Sequence, residues 1–250
     1  MSNIYLEGLS VCVGYSDFLC ETLPLNLPHF DNFIVITDFK DKATQEHCRR
    51  MSVRYYFTNL FYKDGDEFNK ARGIDFGLSY LKSKDWICHL DADTVLPPLT
   101  RHWLTKIPLD EECIYGVDRV NCVGSAKWDS YLAKRHLQHD YMCRVHFPAD
   151  LPILDRIAIK DYEGYLPIGY MQLWHGKHGR RYPLENGDAE RTDVLHAMQW
   201  EAKNRRLIPE LVAIHLQSNS GKLGENWKGR KSPPFRSEAN KVINPKRLTP

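Results

Sequence analysis

The chain lacks any long apolar run. None of its hydrophobic stretches approaches the roughly 20 residues that a membrane-spanning helix needs. The N-terminus does not place an apolar region after a basic one, as a secretory leader does. With 250 residues, 42% of them hydrophobic and 26% charged, the composition also excludes a disordered or fibrous chain. We therefore expect one globular domain that is soluble and cytoplasmic, with no membrane partner.

The sequence also lacks a disulfide pattern. Its seven cysteines are an odd number, and several lie inside apparent strands. Such scattered thiols are typical of reduced cysteines that pack as small hydrophobic side chains. This distribution agrees with a cytosolic protein.

Acidic residues are scarce near the C-terminus. Between Lys222 and Arg247 lie eight basic residues against only two acidic ones, so the rest of a chain with a net charge of +2 is itself acidic. This stretch is predicted either to face anions or to form a solvated basic tail.

Strand-like and helix-like segments alternate through the first hundred residues. Short apolar runs predict strands at Leu9–Val13, Asn32–Thr37, Val53–Phe57 and Trp86–Leu90. Helical spacing predicts helices from a cap at Asp17 to about Leu23, from a cap at Thr44 to about Met51, and from Glu67 to Ser83. This alternation predicts an α/β fold with a mostly parallel sheet flanked by helices, whose ligand site lies beyond the carboxyl ends of the strands.

The fourth predicted strand ends in two carboxylates, Asp91 and Asp93. Residues two apart on a strand share a face, so both side chains can turn toward one cation or one polar ligand. This is the arrangement expected of a metal-diphosphate site. An isolated Asp-x-Asp is also common in solvated turns, so the neighbouring residues decide its meaning.

Polar groups follow the first two predicted strands as well. Tyr15-Ser16-Asp17 follows the first, and Asp38 follows the second. An aromatic ring can stack on a base, and a carboxylate can accept from a ribose hydroxyl or a base imide. Taken singly, Asp17 is better explained as a helix cap and Asp38 as a turn residue. Taken with Asp91, they favour a nucleotide site.

The order of these residues resembles the GT-A-fold glycosyltransferases, the large inverting family with an Asp-x-Asp metal motif. The resemblance covers residues 8–98. That family carries a Gly-Lys-x-x-x-x-Asn pattern in the helix before the metal strand; here Asn69 replaces the glycine, Asp75 replaces the asparagine, and Lys70 is kept. The resemblance implies a GT-A, Rossmann-like nucleotide-sugar-binding architecture in which Lys70 and Arg72 approach the nucleotide.

The second half of the chain resembles the same family more weakly, but in the same order. The matching segments are Pro167–Trp174 (acceptor strand), Arg191–Met198 (acidic helix start) and Ile208–His215 (strand ending in a metal-ligating histidine). Thr192 stands where the family usually has Glu. The catalytic base therefore stays open among Asp193, Glu190 and Asp188, with Asp193 favoured because it opens the helix.

These residue types suit glycosyl transfer. Loss of the nucleoside diphosphate builds charge on the leaving phosphate oxygen, which a divalent cation with hard oxygen ligands neutralises. The resemblance implies that Asp93 and His215 bind this cation and that Asp91 serves the metal or the ribose; an imidazole among carboxylates favours Mn²⁺ over Mg²⁺. Asp193 would accept the acceptor's proton, and a direct displacement predicts inversion at the anomeric carbon.

The resemblance also divides the chain into regions. Residues 1–216 are predicted to be the catalytic domain, with the nucleotide-sugar half at 8–98 and the acceptor half at 99–216. Residues 217–250 are predicted to be a basic flexible loop and C-terminal extension. In this loop Trp227 would cover the sugar, and the cations Lys222, Lys228, Arg230 and Lys231 would offset phosphate charge. The alternative is a solvated linker.

A second metal pattern lies outside these motifs. His136, His139, Cys143 and His146 have three- and four-residue spacing, which suits zinc on a helix. The same segment has the apolar spacing of an ordinary amphipathic helix, which is the interpretation we favour.

The predicted function is metal-dependent transfer of a sugar from a nucleotide-diphosphate sugar to an acceptor hydroxyl. Acceptor classes include a glycan, a protein, or a polyanion such as DNA with hydroxymethylated bases, which Lys and Arg contacts would bind through counterion release. One alternative is a nucleotidyltransferase, although Val13-Gly14-Tyr15-Ser16 is not a glycine-rich phosphate loop. The other is a non-catalytic module that binds nucleotides or carbohydrates.

Overall fold

The computed structural model describes residues 4–82, 84–134, 158–159, 164–168, 170–185, 187–218 and 224–236. Its strands are β1 (Leu6–Val11), β2 (Asn32–Asp38), β3 (Arg54–Thr58), β4 (Trp86–Leu90), β5 (Thr94–Val95), β6 (Ile114–Val123), β7 (Ala158–Ile159), β8 (Gly164–Tyr165), β9 (Met171–His175) and β10 (Arg205–Gln217). Its α-helices are α1 (Ser16–Asn26), α2 (Lys42–Arg50), α3 (Lys70–Leu78), α4 (Thr100–Lys106), α5 (Ser125–Lys134) and α6 (Thr192–Ala197). The four residues of the predicted zinc pattern, His136, His139, Cys143 and His146, lie outside the described residues.

Eight of the described strands form one sheet in the order β3-β2-β1-β4-β9-β6-β10-β5. The strands β3, β2, β1 and β4 are parallel neighbours, and β6 is parallel to β10. Strand β9 is antiparallel to both β4 and β6, and β5 is antiparallel to β10. The predicted α/β class is confirmed. The insertion of β9 between β4 and β6 was not predicted. None of the described helices has the length and apolar character needed to cross a lipid bilayer.

Strand β2 shows why helices cover both faces of the sheet. Val35 belongs to one buried cluster together with Leu23 of α1. Ile36, its neighbour, belongs to another together with Ile74 of α3. Because successive side chains of a strand point to opposite faces, a strand that is apolar on both must be covered on both. With both faces covered, the carboxyl edge is left for polar side chains, and this is the edge at which α/β sheets generally bind ligands.

The first two helices are capped differently from the predictions. The Asp41 carboxylate accepts from the Thr44 backbone N–H at 3.0 Å and from the Thr44 hydroxyl at 2.7 Å, so Asp41 rather than Thr44 caps α2. Tyr15 is the N-cap residue of α1. Asp17 lies in the first turn instead, and its carboxylate accepts from the Arg230 guanidinium at 2.8 Å. A long-range ion pair has replaced the local cap that the sequence predicted.

Helix α3 is shorter than predicted. It begins at Lys70 because the Asn69 side chain accepts from the Arg72 backbone N–H at 3.1 Å, which caps the helix there. The predicted first residue, Glu67, lies outside the helix, where its backbone N–H donates to the Gly187 carbonyl at 3.0 Å. The cap places Lys70 in the first turn, pointed at the carboxyl edge of the sheet.

The described part of the C-terminal region, residues 224–236, packs against α1 and α5. Arg236 forms ion pairs with Glu21 of α1 and Asp129 of α5. The indole N–H of Trp128 donates to the same Glu21 carboxylate at 2.8 Å. In this segment arginine charge is therefore neutralised by carboxylates of the protein itself.

The buried histidine His196 makes stability depend on pH. Its ring stacks on Tyr182 with the centroids 3.8 Å apart, and burial lowers the pKa of His196 to about 3. In the unfolded chain a histidine titrates near pH 6.5. Between those values the unfolded state binds a proton that the folded state does not. His196 therefore lowers the free energy of unfolding as pH falls, by about 1.4 kcal/mol per pH unit.

We expect a His196→Gln variant to have a flatter dependence of stability on pH than the wild type. Between roughly pH 6 and 4.5 the two slopes should differ by the equivalent of about one bound proton, or about 1.4 kcal/mol per pH unit. Urea unfolding at several pH values measures both slopes. His102→Gln, which removes an exposed histidine of α4, is the control. If His196→Gln kept the wild-type slope, this assignment would be wrong.

Candidate active site

Lys70, Asp91 and Asp193 meet at the carboxyl edge of the sheet, although they come from three separate segments. Lys70 Nζ is 2.6 Å from Asp91 Oδ1 and 3.7 Å from Asp193 Oδ1. Asp91 follows β4, Lys70 opens α3, and Asp193 lies in the first turn of α6. All three side chains are less than a quarter exposed. The buried Lys70 ammonium thus lies between Asp91, which is predicted to serve the nucleotide, and Asp193, the predicted catalytic base.

A buried amide holds Asp193 in this position. The Gln172 side chain of β9 donates from Nε2 to the Asp193 carbonyl at 2.8 Å and to the Pro167 carbonyl at 2.9 Å. The Tyr182 hydroxyl donates to the other end of the same amide. Because these groups are buried and paired, they fix the start of α6 against the sheet. The Asp193 Oδ1 atom itself is buried and has no hydrogen-bond partner among the described residues.

Asp93 and His215 form the second half of the site. Strand β5 pairs with β10 so that Thr94 lies opposite His215, and the Leu216 N–H donates to the Asp93 carbonyl at 2.8 Å. His215 Nε2 is 3.4 Å from Asp93 Oδ2, and His215 Nδ1 is 3.1 Å from Asn121 Oδ1. The two ring nitrogens of His215 therefore face Asp93 and Asn121.

The charges at this edge shift the pKa values of both aspartates. Burial, with Asp193 and Asp93 nearby, raises the pKa of the Asp91 carboxyl to about 7, although Lys70 opposes the shift. Burial acts on Asp93 in the same direction, but His215 outweighs it and lowers the pKa of that carboxyl. Burial lowers the pKa of Lys70, but Asp193 and Asp91 outweigh it and raise that pKa. Perturbed groups gathered in one place are typical of functional sites.

Asp93 and His215 fit a divalent cation, whereas Asp91 is engaged elsewhere. The Asp93 Oδ1 atom is buried without a hydrogen-bond partner among the described residues, and Oδ2 faces an imidazole nitrogen. Carboxylate oxygen and imidazole are ligands of Mn²⁺ and related ions. In the described part of the chain no three His, Cys, Asp or Glu side chains are grouped closely enough to hold a metal by themselves. Asp91 is instead paired with Lys70, so further ligands would have to come from the substrate.

An open cleft of about 530 Å³ lies at the ends of β1 and β2. Asp38 lines it as predicted, together with Val13, Gly14, Lys40, Asp41 and Tyr62. The Asp38 carboxylate accepts from the Lys40 backbone N–H at 2.6 Å, which orients it at the strand end. Tyr62 was not predicted; its ring is 44% exposed and gives the cleft an aromatic wall. Volume and lining suit a nucleoside.

Tyr15 follows Gly14, which lines the cleft, but Tyr15 is not itself among the lining residues. Burial, and then the charge of Asp93, raise the pKa of its hydroxyl, while Arg230 acts against them. The Arg230 guanidinium lies 4.8 Å from the Tyr15 ring centroid. Arg230 was predicted to offset phosphate charge. In the structure it instead stacks on the Tyr15 ring and pairs with Asp17.

Three other predicted residues do not line the cleft. Arg72 is paired with Asp64 and Asp66, at 3.0 Å in each case. Lys228 is paired with Glu67 at 2.7 Å. The Trp227 carbonyl accepts from the Ala189 N–H at 2.8 Å. The Trp227 contact ties residues 224–236 to the loop before α6, and the Lys228 pair ties them to the segment before α3.

The two alternative bases lie apart from the carboxylate group. Asp188 accepts from the Glu190 backbone N–H at 2.8 Å, which makes it a local turn residue. Glu190 is exposed. Among the three candidates, Asp193 is the one paired with Lys70.

The sequence analysis missed His89 and Arg119. His89 is fully buried, with Nε2 3.7 Å from Asp91 Oδ1 and Nδ1 3.9 Å from Asp193 Oδ1. Burial and the charge of Lys70 lower the pKa of His89 well below its ordinary value, so it is neutral. Strand alternation could have found His89, since it lies two residues before Asp91. Nothing in the local sequence singles out Arg119.

Comparison with known proteins rests on solved structures, because no protein-family model and no curated protein matches the chain. Glucosyl-3-phosphoglycerate synthase from Mycobacterium tuberculosis, in complex with Mn²⁺ and UDP-glucose, aligns with a TM-score of 0.51 and 9% identity over 88% of this chain and 72% of that one. Mannosyl-3-phosphoglycerate synthase from Rubrobacter xylanophilus aligns with a TM-score of 0.48 and 14% identity, over 88% and 68%. 4-Diphosphocytidyl-2C-methyl-D-erythritol synthase from Anaerococcus prevotii aligns with a TM-score of 0.45 and 11% identity, over 83% and 89%. At such identities the likeness shows the fold, and it is the GT-A, Rossmann-like architecture that the sequence predicted.

Proposed function

We propose that this protein is a metal-dependent glycosyltransferase that moves a sugar from a nucleotide-diphosphate sugar to an acceptor hydroxyl group. One observation carries the proposal: Lys70, Asp91, Asp93, Asp193 and His215 converge at one edge of the sheet, beside a cleft of nucleoside size. The shared fold with a structure that holds UDP-glucose and Mn²⁺ supports the same class of donor.

The nucleoside of the donor would occupy the cleft at the ends of β1 and β2. Asp38 offers a carboxylate to a ribose hydroxyl or a base imide, and Tyr62 offers an aromatic face. The diphosphate would then lie over the end of β4, next to Asp91 and Asp93. The order of strands in the sheet supports this path, since β1 lies between β2 and β4.

Asp93 and His215 would hold the divalent cation, which when bound supplies charge neutralisation for the leaving diphosphate. The buried, unpaired Asp93 Oδ1 atom supports this assignment. Asp91, held by Lys70, would orient ribose or a water molecule at the same place. The choice between Mn²⁺ and Mg²⁺ stays a prediction that rests on the imidazole ligand.

Asp193 would take the proton of the acceptor hydroxyl. Its Oδ1 atom has no hydrogen bond among the described residues and lies 3.7 Å from Lys70 Nζ. A base on the face opposite the leaving group implies a single displacement with inversion. A product that keeps the anomeric configuration of the donor would reject this step.

The two alternative functions have less support. A nucleotidyltransferase needs free backbone N–H groups after its first strand, but here the Gly14 N–H donates to Asp41 Oδ2 at 2.7 Å. A non-catalytic binding module does not explain a carboxylate held at the start of α6 by Gln172.

Three of the four basic residues at 224–236 are paired with carboxylates of the protein, so a polyanionic acceptor such as DNA gains little support from them; the fourth, Lys231, is exposed. Lys228, Arg230 and Arg236 are paired with Glu67, Asp17 and Glu21, so their charges are largely neutralised within the protein. The acceptor and the cytoplasmic location stay predictions.

A screen of nucleotide sugars tests the proposal. Wild-type protein is incubated with each donor and Mn²⁺, and release of the nucleoside diphosphate is measured. We expect release from one donor class, its loss on addition of EDTA, and its recovery with Mn²⁺ or Mg²⁺. A parallel arm with nucleoside triphosphates and sugar phosphates measures pyrophosphate release. Pyrophosphate release alone would favour the nucleotidyltransferase. If the protein failed to bind or hydrolyse any donor, the proposal would be rejected.

A further inference from the structure

Arg119 of β6 is a partly buried cation without an anionic partner. Its guanidinium carbon lies 3.5 Å from the centroid of the Tyr170 ring. Within the residues that the structure describes, it makes no hydrogen bond and no ion pair. Burial lowers the pKa of Arg119 to about 10, and Asp93 and Asp91 act in the opposite direction. The side chain therefore stays charged at neutral pH.

Other arginines near the site are already neutralised. Arg72 is paired with two aspartates, and Arg230 is held by Asp17. A cation taken out of water costs free energy unless an anion or hydrogen-bond acceptors compensate it. The stack on Tyr170 supplies only part of this compensation, since no described residue accepts from the five N–H donors of Arg119.

The register of the sheet places Arg119 on the metal side of the site. In the pairing of β6 with β10, Asn121 lies opposite His215. Arg119 is two residues before Asn121 and therefore projects from the same face. The Tyr170 ring contacts both neighbours, with its centroid 5.3 Å from the His215 ring. The guanidinium thus lies beside the Asp93–His215 pair.

This position is on the acceptor side of the proposed reaction. The nucleoside cleft lies at the ends of β1 and β2, whereas β6 lies beyond β4 and β9. A donor that runs from the cleft to Asp93 would leave the β6 side of the edge for the second substrate. The planar fork of a guanidinium matches the oxygen pairs of carboxylate and phosphate groups.

We infer that Arg119 binds a carboxylate or phosphate group of the acceptor, so that the acceptor is an anionic, hydroxyl-bearing molecule. The inference rests on the proposed function. It gives Arg119 a role in substrate specificity rather than in the chemical step.

Inorganic phosphate is the probe for this subsite. The protein is first saturated with Mg²⁺ and whichever of UDP, GDP, ADP or CDP binds, and phosphate is then titrated in by calorimetry. We expect phosphate binding by the wild type and at least about tenfold weaker binding by Arg119→Gln, because charged hydrogen bonds are lost. Arg119→Lys should bind phosphate with intermediate affinity. The affinity for the nucleoside diphosphate, measured without phosphate, should be unchanged in all three proteins.

A control and three contrary outcomes make the test decisive. Lys203→Gln removes a cation that is 75% exposed, and it should bind phosphate like the wild type. No phosphate binding by the wild type, or equal affinity in Arg119→Gln, would overturn the inference and leave the proposed function standing. A parallel loss of nucleoside diphosphate affinity would also overturn it, because Arg119 would then bind the donor. Failure of the wild type to bind any nucleoside diphosphate would reject the proposed function itself.

Discussion

An Asp193→Asn variant is expected to release nucleoside diphosphate from the donor about 10²- to 10⁴-fold more slowly than the wild type, which is the range typical of a lost general base. The amide has nearly the same shape but cannot take the proton of an attacking hydroxyl or water. Nucleoside diphosphate affinity should stay within about threefold, since Asp193 lies across Lys70 from the nucleotide side. Initial rates with the best donor, alongside calorimetric binding, measure both quantities.

Asp188→Asn and Glu190→Gln are the matched controls for this variant. Both remove one carboxylate from the same loop, and neither carboxylate is paired with Lys70 in the structure. We expect both to keep most of the wild-type rate. Unchanged turnover by Asp193→Asn would remove Asp193 from the mechanism, and a large loss in one control would identify that residue as the base.

A Lys70→Met variant is expected to lose about 3–5 kcal/mol of folding free energy at about pH 9, the range for breaking a buried ion pair. Methionine fills similar volume but leaves Asp91 and Asp193 without their shared cation. Burial has raised the pKa of Asp91 to about 7 even though Lys70 opposes the shift, so removal of Lys70 raises that pKa further. Above about pH 7 the folded variant then holds a proton that the folded wild type lacks, and the loss should become smaller as pH falls from about 9 to about 7. Urea unfolding at those two pH values measures this change.

Two further variants separate charge from packing. Lys228→Met removes an exposed cation from its pair with Glu67, and it should leave the free energy of unfolding almost unchanged. The double variant Lys70→Met/Asp91→Asn should be more stable than Lys70→Met alone, because one uncompensated carboxylate has gone. Equal losses for Lys70→Met and Lys228→Met would show that Lys70 does not bridge the two carboxylates.

Local sequence was sufficient for three of the first four strands, whereas β1 begins three residues before its predicted start and ends two residues before its predicted end. Strand β4 has the predicted bounds, Trp86–Leu90, and β2 and β3 differ from prediction by a residue at their ends. These strands are short apolar runs that the sheet buries on both faces, so their signal is strong and local. Asp38 and Asp91 follow directly from where such strands end.

Helix ends and charge pairs were predicted less well, because they depend on distant residues. Asp17 was expected to cap α1, but it is held by Arg230, more than 200 positions away in the chain. Arg72 and Lys228 were expected to face the nucleotide, yet carboxylates that no local pattern relates to them lie closer. Two charges far apart in sequence meet only through the fold.

By itself, the sequence determined that the chain forms a helix-covered α/β sheet and that carboxylates stand where its strands end, because burial and strand alternation act over a few residues. The tertiary structure decided the grouping of those carboxylates. The antiparallel strand β9 brings Gln172, and with it Asp193, across to β4 and Lys70. The pairing of β6 with β10 sets Arg119 beside His215. These contacts join segments far apart along the chain, and only the strand order of the folded sheet determines them.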